Sequence, residues 1–300
     1  MKIKGYRATQ IIAHLYCGIV SLCALLPFLL LIAASFTDNE TAVAHGYSFF
    51  PKKFSLEAYR YIAVQGSMIG HAYFMTILVT VVGTVVSLAI SLLFAYGLAQ
   101  EDIPGMKALN FLLIFTMLFN GGLVATYYTY VHAFHIMDTL AALIVPNLLM
   151  NAFNVILIKN YFTYSIPASI KEAAKIDGAG EFYIFGRIIL PLSLPIIATI
   201  ALMTSLAYWN DWLNGLYYLT ERGGNQFYTI QIVLNNIIEN IQVLMQNASQ
   251  AAAIGASASQ MPTETIQMAI AVIGILPILV FYPFMQKYFV KGITLGGVKE

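Results

Sequence analysis

The chain has 300 residues, of which 59% are hydrophobic and only 10% are charged, and its mean hydropathy is +0.76. Because charged residues make up about a quarter of a soluble domain, this composition excludes an ordinary soluble enzyme and predicts one polytopic membrane domain over residues 1–300, in a lipid bilayer. The formal net charge of +1 excludes the basic footprint of a nucleic-acid-binding protein, so we expect no nucleic-acid partner.

Long apolar segments predict the fold class, because about 18 or more consecutive apolar residues can cross a bilayer as a helix. Six such segments predict an all-α, polytopic membrane protein with six transmembrane helices: residues 11–36, 71–100, 108–130, 140–162, 195–219 and 265–290. Gly83 and Ser87, four residues apart in the second segment, predict a close approach of two helices. A polar segment, residues 221–264, is predicted to form a large outside connection between the last two helices.

The first apolar segment could instead be a secretory signal. It follows Lys2, Lys4 and Arg7, and Ala33-Ala34-Ser35 resembles a cleavage site. The apolar region of a signal peptide is usually about 7–15 residues long, however, and this segment is much longer. We therefore expect an uncleaved first transmembrane helix.

The lysines and arginines predict the orientation, because they concentrate in cytoplasmic loops. If the N-terminus is inside, eleven of the 15 basic residues fall inside and four fall outside. The inside set is Lys2, Lys4, Arg7, Lys107, Lys159, Lys171, Lys175, Arg187, Lys287, Lys291 and Lys299; the outside set is Lys52, Lys53, Arg60 and Arg222. Both termini and the segment 165–195 are therefore predicted to be cytoplasmic.

The segment 165–195 is a polar island between the fourth and fifth apolar segments. Its apolar residues recur at helical spacing, which predicts one buried face with Lys171, Glu172 and Lys175 lying off it; the face is formed by Ile166, Ile170, Ala173 and Ala174. Gly178 can adopt the left-handed conformation that ends a helix. A second amphipathic helix is predicted over 181–190, closed by Pro191 and Pro195. Such a helix–turn–helix would dock a partner on the cytoplasmic face; the alternative is a solvated loop without a partner.

The residues of this island also resemble a known motif. Glu172-Ala173-Ala174, Asp177-Gly178-Ala179, and Ile189-Leu190-Pro191 followed by Pro195 resemble the EAA loop of ABC-importer permeases, which is the coupling helix of the binding-protein-dependent family. The resemblance extends over about the last two-thirds of the chain. It is similar in particular to the carbohydrate-uptake branch, which includes the smaller maltose permease and the lipoprotein-linked oligosaccharide permeases.

The resemblance implies a permease subunit in a bacterial cytoplasmic membrane that imports an oligosaccharide by alternating access. Implied partners are a second related permease in a heterodimer, two ATPase subunits and an extracytoplasmic solute-binding protein. The residues that would dock onto the ATPase are Glu172, Ala173, Ala174, Asp177, Gly178 and Ala179. The chain has no G-x-x-x-x-G-K-[ST] motif, so we expect no enzyme activity and no cofactor in it; ATP and Mg would be bound by the ATPase subunits.

Candidates for the substrate path are polar or aromatic residues inside the predicted transmembrane helices. Asp211 is the only acid well inside one, and intramembrane acids usually face a cavity or a partner. Asn147, Asn151 and Asn154 are spaced to share one helical face. The alternatives are an interfacial aromatic belt with Asp211 capping a helix end, and hydrogen bonds between helices for the asparagines. The candidates are Asn120, Tyr127, Asn147, Asn151, Trp209, Asn210, Asp211 and Trp212.

The sequence gives little indication of a metal site or of basic groups for an anionic substrate. His132 and His135 form an H-x-x-H in an outside loop with no Cys or carboxylate pattern to complete a metal site, so we expect no metal. No Lys or Arg lies deep in a predicted transmembrane helix, so basic groups for an anionic sugar would have to come from the second permease.

The alternative functions are an ABC permease for another polar solute and a secondary transporter driven by an ion gradient.

Overall fold

The computed structural model describes residues 4–64, 66–100, 103–253 and 264–280. These residues are mostly helical, and the extended pairing among them is one isolated bridge between Thr37 and Phe54. The chain separates into two units, Met1–Met68 with Leu234–Ile278, and Ile69–Val233 with Leu279–Glu300. The all-α prediction is therefore confirmed for the described part of the chain.

The first unit contains a long apolar helix and several short ones. They are α1 (Lys4–Ser35), α2 (Asn39–His45) and α3 (Glu57–Val64). After α1 the chain turns back on itself, and the Phe36 ring stacks on Tyr59 with ring centroids 4.9 Å apart. Beside this turn, Lys53 lies 3.1 Å from Asp38 and lowers the pKa of that carboxyl. Two elements near the C-terminus also belong here: most of α13 (Ile230–Ala253) and α14 (Glu264–Val280).

The second unit contains the remaining helices. They are α4 (Gly66–Leu98), α5 (Met106–Leu118), α6 (Gly122–Ala133), α7 (Ala141–Ile144), α8 (Ala152–Tyr164), α9 (Ala168–Ile176), α10 (Glu181–Leu192), α11 (Leu194–Asn210) and α12 (Leu213–Tyr218). A buried cluster joins the end of α4 to α8, α10 and α11, and includes Leu98, Phe162 and Ile184. A second cluster joins the middle of α4 to α7, α11 and α12.

Within the described residues, α1 and α4 are long and apolar enough to cross a membrane alone, and up to four helices qualify if each of two bent pairs counts as one. The pairs are α5 with α6, bent by 118°, and α10 with α11, bent by 80°. For the last predicted transmembrane helix, α14 covers residues up to Val280, and residues 281–290 lie outside the described part. The predicted outside connection is helical over α13, which its glutamine-rich and asparagine-rich composition did not indicate.

The prediction of continuous helices over 108–130, 140–162 and 195–219 is wrong, because each of these segments is interrupted. The first breaks between α5 and α6, where Gly122 has φ +81°. The second breaks between α7 and α8, where Asn147 has φ +60° beside Pro146. The third breaks at Asp211, which ends α11 in an extended conformation. A positive φ or an extended residue cannot continue an α-helix, whereas hydropathy is insensitive to backbone conformation.

Close packing at Gly83 confirms the interpretation of that glycine. A Cβ atom at this position would lie 2.6 Å from Cζ of Tyr208 in α11. The Tyr208 hydroxyl donates a hydrogen bond of 2.9 Å to the carbonyl of Ile144 at the end of α7. Gly83 therefore lets the ring of Tyr208 lie against the backbone of α4. The hydroxyl of the same tyrosine can then bond to a carbonyl at the end of the short helix α7.

Candidate functional site

The island 165–195 folds into two helices with a glycine turn, as the sequence predicts, but the second helix is not closed by Pro191, because α10 continues through it to Leu192. Helix α9 begins after Pro167, whose φ of −58° suits a helix start, and it ends before Asp177. Gly178 has φ +81°, and the amide of Ala179 donates to the carbonyl of Ala174 at 2.9 Å. A left-handed residue that closes a helix in this way is most often glycine, because other residues are strained there.

The buried face of α9 differs in part from the predicted one. Ile166 is buried and Ala174 packs against the core, but Ala173 is exposed and Ile170 is 38% exposed. Lys171, predicted to lie off this face, is half-buried, and its Nζ donates to the carbonyl of Phe162 at 3.2 Å. Burial lowers the pKa of Lys171, and the nearby charge of Lys175 adds to this effect. The carbonyl at the end of α8 turns this lysine inward, which periodicity alone could not indicate.

Most of the predicted docking residues lie on the surface of the loop. Glu172, Ala173, Asp177 and Gly178 are exposed, whereas Ala174 and Ala179 are half-buried against the core. The structure thus places four of the six on one accessible turn and uses the other two to hold that turn in place.

Three large apolar or aromatic side chains beside this turn were missed by the sequence interpretation. Ile176 is 86% exposed, Phe182 is 87% exposed and Tyr183 is 60% exposed. Exposed apolar groups clustered on a polar loop often mark an interaction surface. The sequence could have indicated this surface, because it places an isoleucine and two aromatic residues on both sides of the Gly178 turn.

A second group of candidates lies where two interrupted helices meet. The side chain of Asn214 in α12 donates to the carbonyl of Pro146 at 3.0 Å, and Tyr208 donates to the neighbouring carbonyl of Ile144. The helices on either side of the second break, α11 and α12, therefore bond to the end of α7 and to the break that follows it. Asp211 lies at this second break, and its carboxylate accepts a 3.4 Å hydrogen bond from the backbone amide of Asn214.

The four candidates around this second break differ in their surroundings. Trp209 is buried, and its indole N–H has no hydrogen-bond partner within the described residues. Asn210 is exposed and bonds to the carbonyl of Leu206 in its own helix. Asp211 is partly exposed, and Trp212 is 39% exposed. This arrangement is a helix end with accessible carboxylate, amide and indole groups.

The asparagines predicted to share one helical face do not do so. Asn147 lies in the break before α8, and Asn151 caps that helix by accepting from the amide of Asn154 at 3.2 Å. Only Asn154 is inside the helix, buried, with its side-chain amide 3.4 Å from the hydroxyl of Thr204 in α11. That contact fits the interhelical alternative for Asn154. Asn147 and Asn151 remain exposed at the break.

The two remaining candidates lie beside the break between α5 and α6. Asn120 is exposed and accepts a 2.9 Å hydrogen bond from the amide of Gly122, within its own turn. Tyr127 stacks on Tyr218 of α12, with ring centroids 5.8 Å apart. The structure therefore brings Tyr127 to the helix that follows Asp211, and it leaves Asn120 at a separate turn.

Comparison with known proteins decides the family. Residues 103–295 match the model of the family described as "Binding-protein-dependent transport system inner membrane component". The chain belongs to this family. It is 42% identical, over 93% of its own length and 94% of the relative's, to "Polygalacturonan/rhamnogalacturonan transport system permease protein YtcP" of Bacillus subtilis (strain 168). It is 38% identical to "Protein LplC" of the same organism, over 99% of this chain and 96% of that one.

A solved structure supports the same assignment. The permease resembles a chain from the crystal structure of a bacterial ABC transporter involved in the import of the acidic polysaccharide alginate. The TM-score is 0.77 and the sequence identity 31%, over 96% of this permease and 99% of that chain. The permease is thus an inner-membrane subunit of an ABC importer. Membership of this class implies a partner ATPase and a solute-binding protein, and it argues against an ion-driven secondary transporter.

Proposed function

We propose that this permease imports an oligosaccharide derived from an acidic polysaccharide by alternating access. The observation that carries the proposal is the end-to-end similarity to a relative named for polygalacturonan and rhamnogalacturonan transport. The likeness to the alginate importer points to the same class of substrate, a chain of sugars that carries carboxylates. Basic groups for those carboxylates would come from the second permease of a heterodimer.

The loop between α8 and α11 is the proposed coupling element, which docks onto an ATPase subunit. Its exposed turn offers acidic side chains, Glu172 and Asp177, beside the apolar side chains of Ile176 and Phe182. A partner groove with apolar walls and basic or polar groups would complement this surface. Because Ala173 has a small side chain and Gly178 has none, the partner can approach the backbone of the turn closely. ATP and Mg would be bound by that partner.

The breaks in the predicted transmembrane helices are the proposed substrate path. Irregular backbone at membrane depth is tolerated only where it is buried in protein or lines a water-filled cavity. Interrupted hydrophobic segments in transporters are good pointers to the binding site for the same reason. Seven of the path candidates, all except Tyr127, lie at or next to the breaks, and Asp211 with Trp212 provides a hydrogen-bonding group next to a flat apolar face.

An uptake assay tests the substrate class. A strain that lacks this permease should lose uptake of labelled oligogalacturonate, and the intact gene should restore it, because this importer is the proposed route for a sugar chain that carries carboxylates. A neutral malto-oligosaccharide of the same length is the matched control and should be taken up equally by both strains. Normal oligogalacturonate uptake in the deletion strain, or an equal loss of the neutral sugar, would contradict the proposal.

We also propose six transmembrane segments, three of them interrupted, with both termini and the coupling loop in the cytoplasm; the distribution of basic residues supports this orientation. In a background where Cys17 and Cys23 are replaced by serine, Ser48→Cys should react with an impermeant thiol reagent applied outside intact cells. Ser169→Cys, an exposed position at the start of α9, should react only after the membrane is opened. Reaction of Ser169→Cys in intact cells would overturn the orientation.

A further inference from the structure

Tyr96, in the last turn of α4, contacts both α8, which precedes the coupling loop, and α10, which lies within it. Its ring is 6.3 Å from the ring of Phe162 at the end of α8, in an edge-on arrangement. On the other side it is 5.0 Å from the ring of Phe185 in α10. Tyr96 is only 9% exposed, so α4 holds a buried side chain against both α8 and α10.

The hydroxyl of Tyr96 reaches the loop itself. It donates a 2.6 Å hydrogen bond to Oε2 of Glu181, the first residue of α10. The other carboxylate oxygen, Oε1, lies 2.8 Å from Nζ of Lys175 in α9. One carboxylate therefore connects α9 and α10, on either side of the Gly178 turn, with α4, which is remote in the sequence.

The two contacts of Glu181 differ in their surroundings. The ion pair with Lys175 is half-exposed on both sides, 50% and 52%, so solvent screens it. The hydrogen bond from Tyr96 comes from a buried donor to a charged acceptor, and such bonds are short and about twice as strong as neutral ones. The tyrosine hydroxyl is thus the contact that attaches this carboxylate to a buried side chain of α4.

The surroundings leave room for this attachment to respond to a force on the loop. A cleft of about 310 Å³ opens beside it; its lining includes Leu93, Gln100, Ile103 and Phe182 together with Tyr96, Lys175 and Glu181. In addition, residues Ile184–Ile189 of α10 form a π-helix. Segments of this kind are uncommon and frequently occur at functional sites.

We propose that Tyr96 and Glu181 form a latch, a pair of positioning residues that transmits the movement of the coupling loop to helix α4. This role rests on the proposed docking of the loop onto an ATPase. When the loop is displaced, the hydrogen bond moves α4 together with α8 and α10; without it, α9 and α10 move and α4 follows only through apolar contacts that can slide.

The test measures ATP hydrolysed per oligosaccharide molecule transported by the complete importer in vesicles. Tyr96→Phe removes the hydroxyl and keeps the ring between Phe162 and Phe185. We expect it to raise this ratio about tenfold, as the loss of a hydrogen bond to a charged group implies, with the ATPase still bound. Glu181→Ala should have a similar effect, and the double variant should be no worse than either single variant, because both remove the same bond.

The controls separate the latch from general stability and from the proposed function. Tyr16→Phe, a hydroxyl deletion at an exposed position in α1, should leave the ratio unchanged. If Tyr96→Phe lowers the melting temperature and reduces transport and hydrolysis in proportion, its role is structural and the latch is excluded. Additive effects in the double variant would also exclude it. Failure of the wild-type importer to carry the oligosaccharide would count against the proposed substrate and not against the latch.

Discussion

Glu172→Ala is expected to loosen the ATPase subunit or to uncouple ATP hydrolysis from transport. Glu172 is exposed in the permease, so its loss should cost the isolated subunit almost nothing. If the loop enters a groove of the ATPase, this carboxylate becomes partly desolvated and paired there. Loss of a charged group from such a site costs about 2–5 kcal/mol, against about 0–1 kcal/mol for an exposed ion pair.

Gly178→Val should produce the same defect by a different route. Gly178 has φ +81°, and a Cβ atom added there would have no neighbour within 4 Å. The substitution is therefore hindered by backbone strain and not by a clash. A β-branched residue resists positive φ, and the turn would have to open. Both variants should be measured by substrate-stimulated ATPase activity together with uptake in reconstituted vesicles.

Matched substitutions make the coupling result specific. Gly180→Val adds the same side chain two residues away, where φ is −72° and ψ is 158°, and valine adopts this extended conformation readily. Glu57→Ala removes an exposed carboxylate from α3, outside the loop. Both controls should keep wild-type coupling. If Glu172→Ala and Gly178→Val also keep it, the loop is not the coupling element.

The helix–turn–helix of the loop could be predicted because its signals are local. Pro167 and Gly178 fix the start and the end of α9 through their own backbone preferences, whatever the rest of the chain does. The inward turn of Lys171 and the latch at Glu181 could not be predicted, because they depend on a carbonyl in α8 and a hydroxyl in α4 that only the tertiary fold brings near.

The interruptions of the transmembrane segments could not be predicted from hydropathy. Hydropathy averages over a window, so a single residue such as Asn147 or Asp211 does not change it. Each of these residues nevertheless ends or breaks a helix, because a polar side chain or a neighbouring helix satisfies the freed backbone groups. Asn214 bonded to the Pro146 carbonyl is an example. The candidates chosen as polar or aromatic residues therefore lie mostly at or next to breaks in the helices, although the expected shared face of the asparagines was wrong.

Asp211→Asn is expected to reduce uptake about tenfold while complex assembly and basal ATPase activity stay normal. The substitution separates two explanations of Asp211. Asparagine caps a helix about as well as aspartate, so the 3.4 Å hydrogen bond to the amide of Asn214 can be kept. If the carboxylate only caps α12, transport should be unaffected. If it accepts hydrogen bonds from sugar hydroxyls, replacing the charged acceptor by a neutral one should raise the KM for uptake by roughly this factor.

Trp212→Ala should reduce uptake in the same way, because it removes an accessible flat ring next to Asp211 on which the apolar face of a sugar can lie. Trp212 is 39% exposed, so its loss leaves little empty space in the core. Leu216→Ala is the matched control, since Leu216 lies one turn further along in α12 and is 45% exposed. It should transport normally. Normal uptake by both Asp211→Asn and Trp212→Ala would remove this break from the substrate path and leave an interfacial aromatic belt with a capping carboxylate.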